Sequence, residues 1–271
     1  MLTNLTQRTQ KEIVVFVRQT IGEELTEAFP KLILESALVI SGSVAYGLYD
    51  DASDIDVSLI LPEKLAKTHR EKIKAFKTAR QEHDRQIQLL YGDTFESIET
   101  LTNWQKDILL RNFAAGLIVS DPSGRFSRLQ KAIKKYPPEV YREKMHWLFA
   151  EAVFELHDRL PAAVTRADPY AVARIKLDTL RLLMTALLLL EKQYPLSDKH
   201  LFRYLSRIKT NEPFMALVRD LLKETDLKKT QTKLEQAVLL IETQLIKKKL
   251  IQKHEPLYWI DLRPKYQVRF S

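Results

Sequence analysis

The sequence predicts an α+β fold, in which a small mixed-sheet domain over residues 1–120 is followed by an all-α helical bundle over residues 121–271. Two observations support this fold class. Short apolar or alternating runs, which are typical of strands, occur mainly before Pro122, whereas apolar residues after it recur at helical spacings. The chain also has only six glycines against 11 prolines, which favours few tight strand turns and many helices.

In the first domain, a long amphipathic helix is predicted over residues 10–28. Strands are predicted at 37–40, 54–61, 85–91 and 117–119, with a basic helix or loop at 63–81 and a helix at 104–115. In the second of these strands, Asp54, Asp56 and Ser58 share one face, because successive side chains of a strand alternate. Apolar side chains occupy the other face, so we expect this strand to cover a core and to present carboxylates on its opposite side.

The second domain is predicted to contain helices at 140–160, 169–194, 199–208, 213–222 and 227–251. In the last of these, apolar residues recur at intervals of three, four and seven, which is typical of a helix with one buried face. Residues 256–271 are rich in aromatic side chains and are predicted to be extended.

The chain has no cysteine and a formal net charge of +8. The absence of cysteine excludes disulfides, thiolate metal sites and cysteine nucleophiles, and it fits a reducing compartment. The charge is compatible with nucleotide phosphates, nucleic acid or an acidic membrane surface as partner. Much of it lies in lysines in or beside one C-terminal helix, which favours a solvated face, so nucleic acid stays open as a partner but is not favoured.

No membrane partner is predicted. The most apolar stretch, at 182–190, is much shorter than the roughly 20 residues that cross a bilayer. The first residues, MLTNLTQRTQKE, lack the apolar segment behind a basic start that marks a signal peptide. We therefore expect a cytoplasmic protein.

Residues 39–61 contain the pattern that is most informative about chemistry. A short strand leads to Gly42 and Ser43, and Asp54 and Asp56 follow on a strand after a gap of ten residues. Gly42 allows the backbone to approach a ligand, and Ser43 can cap a short helix whose free N–H groups would face a phosphate. Two carboxylates this close favour a cation between them, and Mg²⁺ often takes one or two carboxylates plus substrate phosphates. The pattern therefore predicts a Mg²⁺–nucleotide site.

The segments ISGS at 40–43 and DIDV at 54–57 resemble the signature of the nucleotidyltransferase superfamily, which includes DNA polymerase β. The later chain, including YPLSDKHLF at 194–202, resembles in its general sequence pattern the aminoglycoside and lincosamide adenylyltransferase branch, in which a helical bundle follows the catalytic domain.

The resemblance implies a reaction in which a substrate hydroxyl attacks the α-phosphorus of a nucleoside triphosphate, with ATP expected, and pyrophosphate leaves. It implies that Asp54 and Asp56 are catalytic residues that bind Mg²⁺. It also implies that Gly42 and Ser43, with their neighbouring N–H groups, bind the triphosphate, and that Lys199 reaches back to the phosphates.

One position departs from the family pattern, in which a third carboxylate on the next inward-facing strand serves the metals or acts as base. Gln88 stands at the matching position here, and a neutral amide cannot act as a base. The base could come from the helical domain, with Glu151 or Glu155 as candidates. A single metal with substrate assistance, or nucleotide binding without turnover, is equally open, and Glu82 or Asp84 could also substitute.

The preferred prediction is a Mg²⁺-dependent nucleotidyltransferase that acts on a hydroxyl group of a small molecule, with Glu151 as the preferred base. One alternative is a nucleotide-binding regulatory domain without turnover, which Gln88 favours. The other is an enzyme that modifies RNA or protein, as toxin–antitoxin nucleotidyltransferases do, which the net charge favours.

Overall fold

The structure, a computed structural model, describes residues 5–83 and 86–251. The chain divides into two compact units. The first comprises the chain up to Asn103 together with Leu109–Lys135, and the second comprises Trp104–Ile108 and the chain from Tyr136 onward. Asp84, the predicted start of a strand at residue 85 and the predicted extended segment at 256–271 lie outside the described residues.

The first unit contains a four-stranded sheet and the helices that surround it. The strands are β1 (Ala37–Ile40), β2 (Ile55–Leu61), β3 (Ile87–Thr94) and β4 (Leu117–Ser120). The helices are α1 (Gln10–Val17), α2 (Glu23–Ala28), α3 (Pro30–Leu34), α4 (Gly42–Ala45), α5 (Glu63–His83), α6 (Phe95–Glu99), α7 (Asp107–Ala115) and α8 (Arg125–Ile133). Short 3₁₀ or π-helical turns span Leu5–Gln7, Arg18–Gly22 and Thr100–Asn103. The first two residues of α7 belong to the second unit.

The sheet is mixed, with the strand order β3-β2-β1-β4. Strand β1 pairs antiparallel with both β2 and β4, whereas β2 and β3 are parallel. Parallel neighbours need a crossover connection, and α5 provides it. The mixed sheet followed by a helical region confirms the predicted α+β class.

One face of the sheet is covered by the N-terminal helices. Ile13 of α1 and Ile21 of the following π-helical turn pack in one buried cluster with Val57 of β2. Helix α1 begins at a capping box, in which the Thr9 hydroxyl accepts from the Glu12 N–H and the Glu12 carboxylate accepts from the Thr9 N–H. The helix predicted at 10–28 is therefore present, with a π-helical turn in its middle that the periodicity did not predict.

The first unit continues beyond residue 120 to Lys135, and hydrogen bonds join α8 to α7 within it. The Gln130 amide donates to two carbonyl groups at the end of α7, at 3.0 and 2.8 Å. The Asp121 carboxylate caps α8 by accepting from the Ser127 N–H at 2.8 Å. A Cβ at Gly116 would lie 2.7 Å from a methyl carbon of Val39, so only glycine lets the chain pass this close to β1. The predicted domain boundary at residue 120 thus falls inside the first unit.

The second unit is helical. Its helices are α9 (Pro138–Phe154), α10 (Leu160–Thr165), α11 (Pro169–Leu190), α12 (Asp198–Leu205), α13 (Glu212–Lys223) and α14 (Leu227–Lys247). A π-helical turn (Glu155–Arg159) joins α9 to α10, and a 3₁₀ turn (Lys209–Asn211) precedes α13. Among residues 5–83 and 86–251, none of the helices combines the length and apolar character needed to cross a bilayer.

A buried ion pair lies in the second unit. The side chains of Lys144 and Asp107 are both 0% exposed, and the Lys144 ammonium donates to Asp107 Oδ1 at 2.6 Å and also to the Trp104 carbonyl. The Tyr136 hydroxyl donates to the same carboxylate oxygen at 3.2 Å. Burial lowers the pKa of Lys144, and the Asp107 charge opposes that effect. Removing one partner would leave an uncompensated buried charge, so this pair fixes α9 to the segment Trp104–Ile108 of the same unit.

Candidate functional site

The two motif carboxylates lie at the start of β2, on the side of the sheet opposite the N-terminal helices. Ile55 and Val57 are fully buried in the core, and Asp56 between them is half-buried and faces the other way. Asp54 directly precedes the strand and is also half-buried, and the alternation places it on the same side as Asp56. The Asp56 carbonyl accepts from the Ser41 N–H at 2.9 Å, which joins the end of β1 to this point of β2.

Gly42 is required by the position of the Asp56 carboxylate. Its φ of +65° lies in the left-handed region that favours glycine. A Cβ built at Gly42 would lie 2.4 Å from Asp56 Oδ2, far inside any real contact. The missing side chain therefore clears the space that the carboxylate occupies, which explains why the turn and the carboxylate strand occur together.

Ser43 does not cap a helix, contrary to the prediction. Ser41 occupies the N-cap position of α4 and its side chain makes no capping bond, while Ser43 lies within the helix and is buried. The N-cap thus lies two residues earlier than the sequence pattern indicated, and the first helical residue, Gly42, has a left-handed backbone. Helix α4 is a single four-residue turn, so it does not provide the helix terminus that was predicted to bind phosphate.

The segment between the two halves of the motif is anchored by side chains of the N-terminal region. The Gln10 amide donates to the carbonyl groups of Val44 and Ala45, at 2.7 and 3.1 Å. The Asp51 carboxylate accepts from the backbone N–H and the hydroxyl of Thr6, at 2.9 and 2.8 Å. The Asp50 carboxylate accepts from the Ser53 hydroxyl at 2.9 Å. Asp50 and Asp51 therefore serve the loop, and the other carboxylates of the motif are Asp54 and Asp56.

Gln88 lies beside Asp56, as the sequence analysis expected. The register of the parallel pair places Gln88 directly across from Asp56. Within the described ranges, no group of three or more His, Asp or Glu side chains could hold a metal ion. The residues present still fit Mg²⁺, because two carboxylates supply hard oxygen ligands and the ion often completes its shell with phosphate oxygens and water.

The sequence analysis missed a polar cluster next to Asp56, formed by Tyr46, Arg111 and Asn112. Tyr46 follows α4, and its hydroxyl donates to Asn112 Oδ1 on α7. The Arg111 guanidinium lies over the Tyr46 ring, with its central carbon 5.4 Å from the ring centroid. The available signal was an Arg-Asn pair inside the otherwise apolar stretch ILLRNFAA.

The remaining predicted residues, Glu151 and Lys199, belong to the second unit. Lys199 is exposed in the first turn of α12, and Glu151 is half-buried on α9. Glu155, the other candidate base, is buried in the π-helical turn and accepts a hydrogen bond from Arg159. Burial raises the pKa of Glu155, Arg159 lowers it, and the charges of Glu151 and Asp178 raise it further. A raised pKa suits a general base near neutral pH.

The comparison with known protein families agrees with this geometry. The profile of a nucleotidyltransferase domain matches residues 21–112. Residues 21–112 are thus similar to a nucleotidyltransferase domain. The matched residues include the strand–turn–strand motif and the cluster of Tyr46, Arg111 and Asn112. A second profile, that of a domain of unknown function (DUF4037), matches residues 102–201, where Glu151 and Lys199 lie.

Solved structures provide one further similarity. The chain is 15% identical to a nucleotidyltransferase-like protein from Exiguobacterium sibiricum 255-15, with a TM-score of 0.44 and coverage of 88% of this chain and 76% of that chain. No curated protein matches the sequence. The membership in the nucleotidyltransferase superfamily that the motif indicated is therefore supported by the family profile over residues 21–112.

Proposed function

We propose that this protein is a Mg²⁺-dependent nucleotidyltransferase that transfers a nucleoside monophosphate from a nucleoside triphosphate, preferentially ATP, to a hydroxyl group of a small molecule. The observation that most supports the proposal is the juxtaposition of Gly42 with the Asp56 carboxylate inside a nucleotidyltransferase domain.

In this proposal, Asp54 and Asp56 would hold Mg²⁺ through their carboxylate oxygens. The bound ion would neutralise charge on the phosphate oxygens and help to fix in-line geometry. Gly42 lets the triphosphate approach the backbone, and Ser43 lies in the turn beside it. The acceptor hydroxyl would attack the α-phosphorus, and the bond to the pyrophosphate leaving group would break.

The proton of the acceptor hydroxyl needs a base. We assign this role to Glu151, with Glu155 as the alternative, because Gln88 opposite Asp56 cannot accept a proton. For Glu155, the pKa raised by burial supports a basic carboxylate. Lys199 is proposed to interact with the β- and γ-phosphates through its exposed ammonium group.

A second candidate function is nucleotide binding without turnover. The position of Gln88 across from Asp56 favours it, since the third carboxylate typical of the superfamily is replaced by an amide there. Both functions need Mg²⁺ and a nucleoside triphosphate, and both are compatible with the cytoplasmic location that the cysteine-free sequence suggests. They differ only in whether an acceptor is modified.

The experiment that separates them is incubation of the protein with each labelled nucleoside triphosphate and Mg²⁺, against a panel of aminoglycosides, lincosamides, tRNA and proteins. Pyrophosphate release and label transfer are scored for each acceptor. Transfer to a small hydroxylated acceptor supports the proposal, and transfer only to RNA or protein contradicts the small-molecule assignment. Tight binding with no transfer to any acceptor supports the binding function instead.

A further inference from the structure

The polar cluster beside Asp56 contains a charged group that the motif does not account for. Arg111 is only 6% exposed, although it carries a permanent positive charge. Burying a permanent charge is costly, so such an arginine is held by close polar or aromatic contacts. Its guanidinium packs against the Tyr46 ring.

Tyr46 and Asp56 both adjoin helix α4, because Gly42 at its start approaches Asp56 Oδ2 and Tyr46 directly follows its end. Burial raises the pKa of Tyr46 to about 12, the Arg111 charge lowers it and the Asp56 charge raises it. Tyr46 is therefore neutral at physiological pH and has a cation and a predicted metal ligand as neighbours. The cation consequently lies in the neighbourhood where a metal-bound triphosphate would sit.

The orientation of Arg111 is fixed before any ligand binds. Stacking on an aromatic ring restricts a planar guanidinium, and the Tyr46 hydroxyl is itself held by the Asn112 carboxamide oxygen. A pre-oriented fork of N–H donors matches phosphate oxygens, and a desolvated site strengthens such contacts. A triphosphate with one Mg²⁺ also retains net negative charge, which one further cation can offset.

We propose that Arg111 binds the phosphates of the nucleoside triphosphate, and that Tyr46 and Asn112 are positioning residues that hold its guanidinium in place. This inference rests on the proposed function, because it assumes that a Mg²⁺–triphosphate occupies the site at Asp54 and Asp56. It adds a binding residue from α7, whereas the motif supplies residues only from β1, α4 and β2.

The test measures the affinity of the full chain for a non-hydrolysable ATP analogue and for adenosine, both with Mg²⁺, by calorimetry. Arg111→Gln should weaken binding of the triphosphate analogue about 10- to 100-fold, the range for one charge-assisted contact, and change adenosine binding less than about twofold. Tyr46→Phe keeps the ring but loses the bond to Asn112, so it should weaken the analogue by a few-fold and leave adenosine unchanged.

Arg125 offers a matched control in the same unit. Its guanidinium also stacks on an aromatic ring, 4.7 Å from the Phe95 centroid, and donates to the carboxylates of Glu96 and Glu99. Arg125→Gln therefore removes a stacked, paired arginine outside the proposed site, and it should leave the analogue affinity unchanged.

Thermal unfolding identifies any variant that fails to fold. If Arg111→Gln does not fold, Arg111→Lys retains the charge without the planar fork and should weaken the analogue several-fold relative to adenosine. Equal losses of affinity for the analogue and for adenosine, or no loss in a folded variant, would overturn the role of Arg111. If the wild type binds the analogue with Mg²⁺ in that experiment, the proposed function is unaffected. A wild type that binds no triphosphate would instead overturn the proposed function, and the inference with it.

Discussion

The replacement of Gly42 by alanine tests the site geometry with an internal control. Gly42 and Gly47 have nearly the same left-handed backbone, with φ of +65° and +67°. A Cβ at Gly42 would lie 2.4 Å from Asp56 Oδ2, whereas a Cβ at Gly47 meets no atom within 4 Å. The two alanine variants thus share the backbone penalty, and only Gly42→Ala also displaces the carboxylate.

The expected magnitudes follow from these two contributions. A left-handed alanine costs about 1–2 kcal/mol, so each variant should lose that much stability, or roughly 2–4 °C in Tm for every kcal/mol. In Gly42→Ala, the contact with Asp56 Oδ2 must also lengthen from 2.4 Å to at least 3.0 Å. Because a misplacement of about 1 Å in an active site can cost 100-fold, Gly42→Ala should reduce Mg²⁺-dependent turnover or triphosphate affinity by about that factor.

Thermal unfolding and nucleotide titration with Mg²⁺ provide the two measurements. We expect both variants to be destabilised, Gly47→Ala to retain near wild-type affinity, and Gly42→Ala to lose it. Equal affinity in the two variants would refute the reasoning, because the close approach of Gly42 to Asp56 would then have no bearing on the nucleotide site.

Three further predictions concern other parts of the chain. Lys144→Met should destabilise the protein by about 3–5 kcal/mol in urea unfolding, because it leaves Asp107 charged and buried. The double variant that also carries Asp107→Leu should recover most of this loss. Hydrogen bonding, chiefly from Lys233, lowers the pKa of Glu224 from 4.5 to about 2. That contribution to stability is present above pH 4.5 and lost as the pH falls towards 2, so Glu224→Gln should destabilise at about pH 7 and much less at about pH 3. If Glu151 is the base, Glu151→Gln should lower pyrophosphate release about 100-fold, and Gln88→Glu should change it little; a large gain from Gln88→Glu would place the missing acid at residue 88.

The strands were the most predictable part of the fold. The apolar run at 37–40 is β1 itself, and the alternation at 54–61 identified β2 to within one residue. The first signal is a continuous apolar run and the second is an alternation of side chains, and both patterns follow from the way a strand lies in a sheet. Strand β3 extends to Thr94, three residues beyond the prediction, through Gly92 with its positive φ.

The short helices were predicted poorly because local capping defines them. Helix α6 begins at a capping pair, in which the Thr94 hydroxyl accepts from the Ser97 N–H and the Ser97 hydroxyl accepts from the Thr94 N–H. Helix α8 begins after the left-handed Gly124, and its first turn is held by the Asp121 carboxylate, although the sequence DPSG is typical of a turn that ends a strand. The predicted helix at 140–160 is interrupted by a π-helical turn, which a 3.6-residue periodicity does not detect.

The candidate site also has a part that the sequence predicts and a part that it does not. Gly42, Asp54 and Asp56 are close in sequence, so their spacing was readable from a single chain. Arg111 is more than 50 residues from Asp56 in sequence, and only the tertiary structure of the first unit brings it near Tyr46. Sequence spacing cannot specify a contact that depends on tertiary packing.

The central claim is that Asp56 binds Mg²⁺ together with a nucleoside triphosphate. Its most direct test is a calorimetric titration of wild type and Asp56→Asn with a non-hydrolysable ATP analogue, with Mg²⁺ and with EDTA, after circular dichroism has shown that both are folded. We predict that wild type binds the analogue only with Mg²⁺ and that Asp56→Asn does not bind it. Equal, Mg²⁺-dependent affinity in the two proteins would contradict the account.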